Sequence, residues 1–332
     1  MANRKYPCPY TAAQLEEFSK GRLFDQIVVV VGDLKEKKDN LTRIYDLTRW
    51  TEDGTVSKTY HGICASAWMN EVELKLIQPD GSPSSWQTYA DKYSEGICCV
   101  REVLSQERWE SEQARYASLG VKVMDRFADE TGETIVYDLL DIIGGMFAIH
   151  LDSADRVQPP EEQRNPRKLC QINITTDDVD RTAADVTRLL RIGPYGIGTL
   201  NNQTVKNAGL LVDGKWCCPE FSFQLGMAAA GNLEFEIIAP AVGPTVYQSY
   251  LGKTCGMLLQ IFFQPVSTHP NAVQGRIIDP VLMRFQHRVC SAFREPFAEQ
   301  KENRPENSQS GIFKSATTYF HKPFPANYLG HE

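Results

Sequence analysis

Between Glu71 and Val103 apolar and polar residues alternate in two blocks around a turn. In the first block Val72, Leu74 and Leu76 fall on one face, and Glu73, Lys75 and Gln78 fall towards the other. That period of two predicts a strand over Glu73–Gln78 whose polar side lines a concavity. Pro79 closes the strand, Trp86–Tyr93 has the spacing of a short amphipathic helix, and Gly96–Val103 reads as a second strand. The arrangement recurs at Glu234–Pro240, Thr245–Leu251 and Gly256–Phe262, with Lys75 matched by Glu236 and Tyr89 by Tyr250, both 161 residues on. A second offset, of 145 residues, carries Gln26 onto Gln171, Asp33 onto Asp178 and Arg43 onto Arg188. Self-similarity of this length predicts a tandem duplication.

Taken in order, residues 1–21 read as an irregular leader with a short helix around Ala12–Lys20. A strand is expected at the run FDQIVVVVGDL, then a helix over Lys35–Leu47, then one or two strands within Thr55–Met69. After Val103 a helix is expected over Glu107–Leu119, stopped by Gly120, then strands at Val121–Phe127, Thr134–Leu140 and Met146–Leu151. Residues 22–152 therefore count as β-α-β-β-β twice. Residues 153–168 are polar, charged and proline-bearing, which predicts a linker. The pattern restarts at Leu169 and runs through a second two-module half, 169–332. Its last part is expected to diverge: a helix over Pro280–Phe297, a polar insertion at Lys301–Gly311, a strand at Ser315–His321 and a missing or displaced final strand. The expected fold class is α+β, with tandem βαβββ modules forming two cup-shaped domains.

A length of 332 residues, 42% hydrophobic, leaves room for a core in each half. The net charge of −7, with no basic block, argues against a nucleic-acid partner. The N-terminus lacks an apolar secretory segment and no run of about 18 apolar residues occurs, so neither export nor a membrane span is expected. Nine cysteines, an odd number, point to reduced thiols in a cytoplasm. No CxxC pair occurs, and dinucleotide-fold, P-loop, hydrolase-elbow and zinc-protease motifs are all missing.

Three short motifs carry a resemblance. They are Asp25-Gln26-Ile27-Val28-Val29-Val30, Leu74-Lys75-Leu76-Ile77-Gln78-Pro79 and Gly96-Ile97-Cys98-Cys99-Val100. Together with the order of elements they resemble the vicinal-oxygen-chelate family, which includes glyoxalase I, extradiol dioxygenases and bleomycin-resistance proteins. The methylmalonyl-CoA epimerase branch is nearest, with its DHIxIxV, ELLxP and GIHHI strands. The resemblance covers residues 22–152 and 169–263.

The resemblance implies an open cup whose floor holds a divalent metal, one ligand from each of four strands. Position by position, the opening His is Gln26, the Glu is Lys75, the second His is Cys99, and the closing Glu falls at Ile149 or, shifted by one, at His150. Gln26, Cys99 and His150 are thus the candidate ligands of the first cup, and Gln171 and Glu236 those of the second, whose GIHHI equivalent ends in Leu259-Gln260. Lysine is not a ligand and repels a dication. Lys75 is instead expected to replace the metal by holding an enolate oxygen, or to act as a base if burial lowers its pKa. Tyr60 and His61, at the start of a cavity strand, are the other proton-transfer candidates. Trp68, Glu73 and Cys99 are the candidate substrate contacts, with Trp68 able to stack on a flat molecule. Cys98 is expected to point away from Cys99.

These features imply an isomerase of epimerase or racemase type that moves a proton next to a carbonyl. Two alternatives stay open: a lyase or ring-forming isomerase on a small or aromatic ketone, and a non-catalytic small-molecule-binding protein. The expected partner is a small carbonyl compound, with a homo-oligomer compatible with this reading. Apart from a divalent metal no cofactor is implied.

Overall fold

The computed structural model describes residues 7–52, 54–129, 131–152, 161–165, 168–201, 210–212, 215–217, 220–243, 257–263 and 274–278. The first half opens with α1 (Ala12–Ser19), then β1 (Leu23–Val30), α2 (Leu34–Tyr45), β2 (Val56–Ser57), β3 (Gly62–Met69) and β4 (Val72–Pro79). Next come α3 (Ser85–Tyr93), β5 (Gly96–Leu104), α4 (Gln106–Ser118), β6 (Val123–Asp129), β7 (Gly132–Leu139), α5 (Leu140–Ile143) and β8 (Gly145–Asp152). The strands form one sheet in the order β2-β3-β4-β1-β5-β8-β7-β6. β1 runs antiparallel to β5, and each is flanked by a parallel partner, β4 and β8. A local dyad therefore lies between β1 and β5 and relates two βαβββ modules. It maps Gln26–Glu73 onto Cys99–Met146, since both cross-strand pairs are 47 residues apart (73 − 26 and 146 − 99).

The second half repeats the first module. β10 (Lys168–Thr175), α6 (Val179–Leu190), β11 (Gly196–Asn201), β14 (Ser222–Ala230), β15 (Leu233–Val242), β16 (Met257–Phe263) and β17 (Gln274–Ile278) form a sheet ordered β11-β14-β15-β10-β16-β17. A small hairpin, β12 (Leu210–Val212) with β13 (Lys215–Cys217), lies between β11 and β14 in sequence. Gln171 pairs with Glu234 as Gln26 pairs with Glu73, and a register shift interrupts β1 at Phe24/Gln26 and β10 at Leu169/Gln171. The fold is α+β, built from tandem βαβββ modules. The expected helix over Pro280–Phe297, the strand at Ser315–His321 and the match of Tyr89 to Tyr250 lie outside the described residues.

The duplication reaches individual side chains. Asp33 and Asp178 each cap the helix that follows, accepting the backbone N–H three residues on at 2.9 Å. Thr42 and Thr187 donate to the carbonyls of Leu47 and Ile192, at 2.8 and 2.9 Å. Asp46 and Arg191 end the two helices in the left-handed region, with φ of 59° and 53°.

One continuous apolar cluster runs through both halves, taking in Phe24, Ile27, Leu41 and Tyr45 from the first and Ile172, Val186, Leu190 and Phe235 from the second. Phe24 meets Phe235 edge-on at 5.2 Å, and its backbone N–H and C=O are both bonded by the Asn232 side chain. The leader is more ordered than its sequence suggests. A capping box of Thr11 and Gln14 starts α1. The Arg191 guanidinium stacks over Phe18 at 4.6 Å. Buried Arg22 bonds Glu102 of the first half and the Leu190 carbonyl of the second. Gly231 closes this contact: its φ is +58° and a Cβ there would lie 2.0 Å from the Arg22 carbonyl.

The expected linker is partly docked. Residues 161–163 form a helical turn, and β9 (Arg164–Asn165) pairs with β3. Asn165 is buried and its side chain bonds Thr48, Arg49 and Trp68 backbone groups. Polar composition marked this stretch as loop, but Asn165 trades water for four backbone partners.

Candidate functional site

The concave face of the first sheet is divided into an apolar part and a charged part. Val28, Val30, Tyr60, Ile77, Trp86, Tyr89, Cys98, Cys99, Met146 and Ala148 make a second buried cluster, with α3 laid into the cup. The charged part begins one step further along. There β1, β3, β4 and β5 bring Asp25, Gln26, Ser66, Glu73, Lys75 and Arg101 together, all but Lys75 with less than a tenth of their surface exposed.

Glu73 is the hub. Its Oε1 lies 3.1 Å from Lys75 Nζ, and its Oε2 accepts from Gln26 Nε2 at 2.5 Å. Burial alone would raise its pKa, but the Lys75 and Arg101 charges and hydrogen bonds from Ser66 and Gln26 bring it down to about 2. Lys75 feels the same pair from the other side. Burial disfavours its charge, yet the neighbouring Glu73 carboxylate outweighs burial and raises its pKa above the ordinary lysine value. Lys75 is therefore an ammonium and not the base that burial alone would have made it. Its Nζ also lies 4.6 Å from the centre of the Tyr60 ring. Tyr60 is held against Trp86 and Phe127, and burial raises its pKa, so the phenol keeps its proton. Arg101 grips Asp25 with Nε and Nη2 at 3.0 and 2.6 Å.

The other candidates fall elsewhere. His61 sits at a tight turn with φ of 48°, its carbonyl bonded by Asp80, at the far end of β3 from the Ser66–Lys75 pair. It does not join Lys75. Trp68 pairs with Glu73 across β3 and β4, half-buried at the edge of the charged group. Cys98 and Cys99 enter the same apolar cluster, because a register shift at Val28/Val29 breaks the alternation that would have turned Cys98 away. Burial pushes the Cys99 thiol far up, and its sulfur sits 3.7 Å from the Val100 carbonyl. His150 is fully buried, its ring nitrogens at 2.9 Å from Thr134 Oγ1 and 3.3 Å from the Thr131 carbonyl. The dyad that carries Gln26 onto Cys99 carries Lys75 onto Ala148 (75 + 73), so the fourth position holds a methyl group, with His150 two residues beyond.

A divalent metal does not fit these residues. Gln26 donates to Glu73, Cys99 is held as a thiol, Ala148 offers no donor, and the Lys75 ammonium and Arg101 guanidinium occupy the ground a dication would need. Among the described residues no group of three His, Cys, Asp or Glu side chains could hold one.

The second cup has the same frame and another chemistry. Gln171 donates to Met227 Sδ at 3.5 Å. Glu236, at the position of Lys75, is buried, and burial together with the charge of Glu234 raises its pKa to about 8. Asn173, fully buried, pairs in register with Glu236.

Sequence reasoning missed Asp25 and Arg101. The signal was present as an acid and a base inside the two apolar strands FDQIVVVV and GICCVREV, where an unpaired charge is costly.

No protein-family model matches the chain, and no curated protein does. Among solved structures, a mutant 4-hydroxymandelate synthase from Streptomyces coelicolor aligns at 14% identity over 68% of this chain and 65% of that one, with a TM-score of 0.45. Methylmalonyl-CoA epimerase from Mycobacterium tuberculosis aligns at 16% identity over 39% of this chain and 87% of its own, with a TM-score of 0.33. A hypothetical protein from Bacillus halodurans aligns at 15% over 42% of this chain and the whole of its own, again at 0.33. At these scores the likenesses carry no argument; the fold rests on strand order and register.

Proposed function

We propose that the chain is an isomerase of epimerase or racemase type that moves a proton next to a carbonyl in its first cup, without a metal. The observation that carries this reading is the buried Glu73–Lys75 pair with Tyr60 over the ammonium. Lys75 is a positive charge held in a largely buried site, the arrangement that stabilises an enolate oxygen. When a carbonyl oxygen takes up the ammonium, Glu73 loses part of the field that holds its pKa near 2. The carboxylate then becomes basic enough to accept the carbon-bound proton. Tyr60, whose ring lies 4.6 Å from Lys75 Nζ, donates a proton to the opposite face of the enolate, and its phenolate is stabilised by Lys75 and Arg101. Exchange with solvent returns the proton from Glu73 and restores that of Tyr60.

The test is deuterium uptake. Wild-type protein in D2O, with a panel of CoA thioesters, aliphatic ketones and aromatic ketones, is expected to wash out the α-proton of at least one class by NMR. Lys75→Met is expected to abolish it. A second reading, a non-catalytic binding protein, is favoured by the completeness with which Glu73 is paired. Binding of a panel member with no washout in wild type would establish it.

A further inference from the structure

A cleft of about 180 Å³ opens where α1, α4 and the end of α6 meet, and it shares no residue with the charged group of the first cup. Two buried carboxylates stand at it, Glu102 and Glu112, and each is held by two guanidinium groups. Glu102 takes Arg22 at 2.5 Å and Arg108 at 2.8 Å, and Glu112 takes Arg115 at 2.6 Å and Arg191 at 2.8 Å. Four arginines on two glutamates leave two positive charges over. The other charged groups of the wall, Lys20 and Glu17, pair with each other at 2.6 Å.

The surplus lies on the outer pair. Arg22 and Arg115 are turned inward, with side chains only 3% and 10% exposed. Between them they bond the carbonyls of Arg188, Leu189, Leu190 and Arg191, the last four of α6. That covers the negative helix end that would otherwise repel an anion. Arg108 and Arg191 reach solvent, at 40% and 29% exposed. Arg108 spends only Nη2 within the chain, on Glu102, and Arg191 spends Nε and Nη1, on Tyr10 and Glu112. The remaining N–H groups of both have no partner among the described residues and are left to solvent or a ligand. Arg191 is held in place, because its guanidinium lies over the Phe18 ring at 4.6 Å.

Two surplus charges with open guanidinium edges match a dianion with several acceptor oxygens. A phosphate group has that charge and those oxygens, and a single carboxylate does not. The cleft is smaller than the roughly 300–1,000 Å³ of sites for drug-sized molecules, so its ligand is small.

We infer that this cleft is a binding site for a phosphate group, clamped between Arg108 of the first half and Arg191 of the second. The site stands or falls independently of the proton-transfer reading.

The experiment is calorimetric titration of the full chain at pH 7.5 with inorganic phosphate and with acetate, at an ionic strength held constant with potassium chloride. Phosphate is expected to bind about 10-fold or more tightly than acetate, and Arg108→Gln to weaken it about 10-fold, the scale of one charge-assisted bond. Glu102 keeps Arg22 in that variant, so the fold is retained. Arg191→Asn is expected to show a similar loss, asparagine being tolerant of the left-handed φ of 53° there. Should it loosen α1 and fail to fold, Arg108→Gln decides alone. Arg181→Gln, on an exposed part of α6, is expected to leave binding unchanged. Glycerol phosphate separates the two sources of the group: tighter binding than phosphate makes a phosphorylated metabolite the ligand, and equal or weaker binding makes it the free ion. No phosphate binding, acetate bound as tightly as phosphate, unchanged affinity in Arg108→Gln, or an equal loss in Arg181→Gln would overturn the inference.

Discussion

The two cups are built on one frame and differ in whether the inward position of one strand carries a lysine or a glutamate. β1 and β10 carry the same register shift, α2 and α6 the same aspartate cap, and Gln26 and Gln171 the same place beside a glutamate. At the next inward position of the neighbouring strand the first cup has Lys75 and the second Glu236. With the lysine, Glu73 is brought down to about 2; without it, Glu236 is raised to about 8. Burial acts the same way on both carboxyl groups, so the difference comes from their neighbours: Lys75, Arg101, Ser66 and Gln26 lower Glu73, and the charge of Glu234 adds to the rise at Glu236. The surroundings of the buried carboxyl group thus decide whether the floor of this fold carries a fixed ion pair or a proton: Lys75 and Arg101 in the first cup, Glu234 in the second.

The largest effect is expected from removing the lysine. Lys75→Met should lower α-proton washout by about 10²- to 10³-fold, the scale of losing one oxyanion donor. It should also cost about 3 kcal/mol in denaturant unfolding, because Glu73 loses its nearest cation in a buried place. A stability loss without a rate loss would make Lys75 structural only.

Next in size is Glu236. A carboxyl group with a raised pKa holds its proton more tightly in the folded chain than in the unfolded one. The folded state is thus penalised progressively as pH rises from about 4.5 towards 8 and fully above that. Glu236→Gln should remove that slope and stabilise the protein by about 2–4 kcal/mol at pH 8.5, read from urea melts at several pH values. The first cup should behave oppositely: Glu73 contributes stability above pH 4.5 that is lost as pH falls towards 2. A pH slope unchanged by Glu236→Gln would end the contrast between the cups.

The third concerns the join. Asn232→Ala deletes both side-chain bonds to the Phe24 backbone and should cost about 2 kcal/mol, with one unfolding transition retained. Two transitions would mean that the halves unfold separately. The smallest compares the helix ends. Thr187→Val should cost about 1 kcal/mol and Thr42→Val somewhat more, since Thr42 Oγ1 also accepts from Trp50 Nε1 at 2.9 Å. Thermal melts of the two variants check the order.

The frame was legible because duplication and strand parity are written in spacing. The offsets of 145 and 161 residues located equivalent strands, and Leu74 and Leu76 fixed the side on which Lys75 stands. The site was legible only where side chains obey that parity. Cys98 broke it through a bulge, and Tyr60 reached Lys75 from a turn that also carried His61 away. The partner of Arg101 is 76 residues distant, and no local pattern names Asp25 as its match.

Arg22 and Phe24 begin the first sheet, yet the groups that satisfy them come from residues 190, 191 and 232. A chain growing from the ribosome makes β1 early and must wait for roughly two hundred more residues before that strand's entrance is sealed. Until then the end of β1 exposes an apolar ring and an arginine bound only to Glu102. The seal at the entrance of β1 is thus a late event of folding, completed only when residues 190–232 have been made.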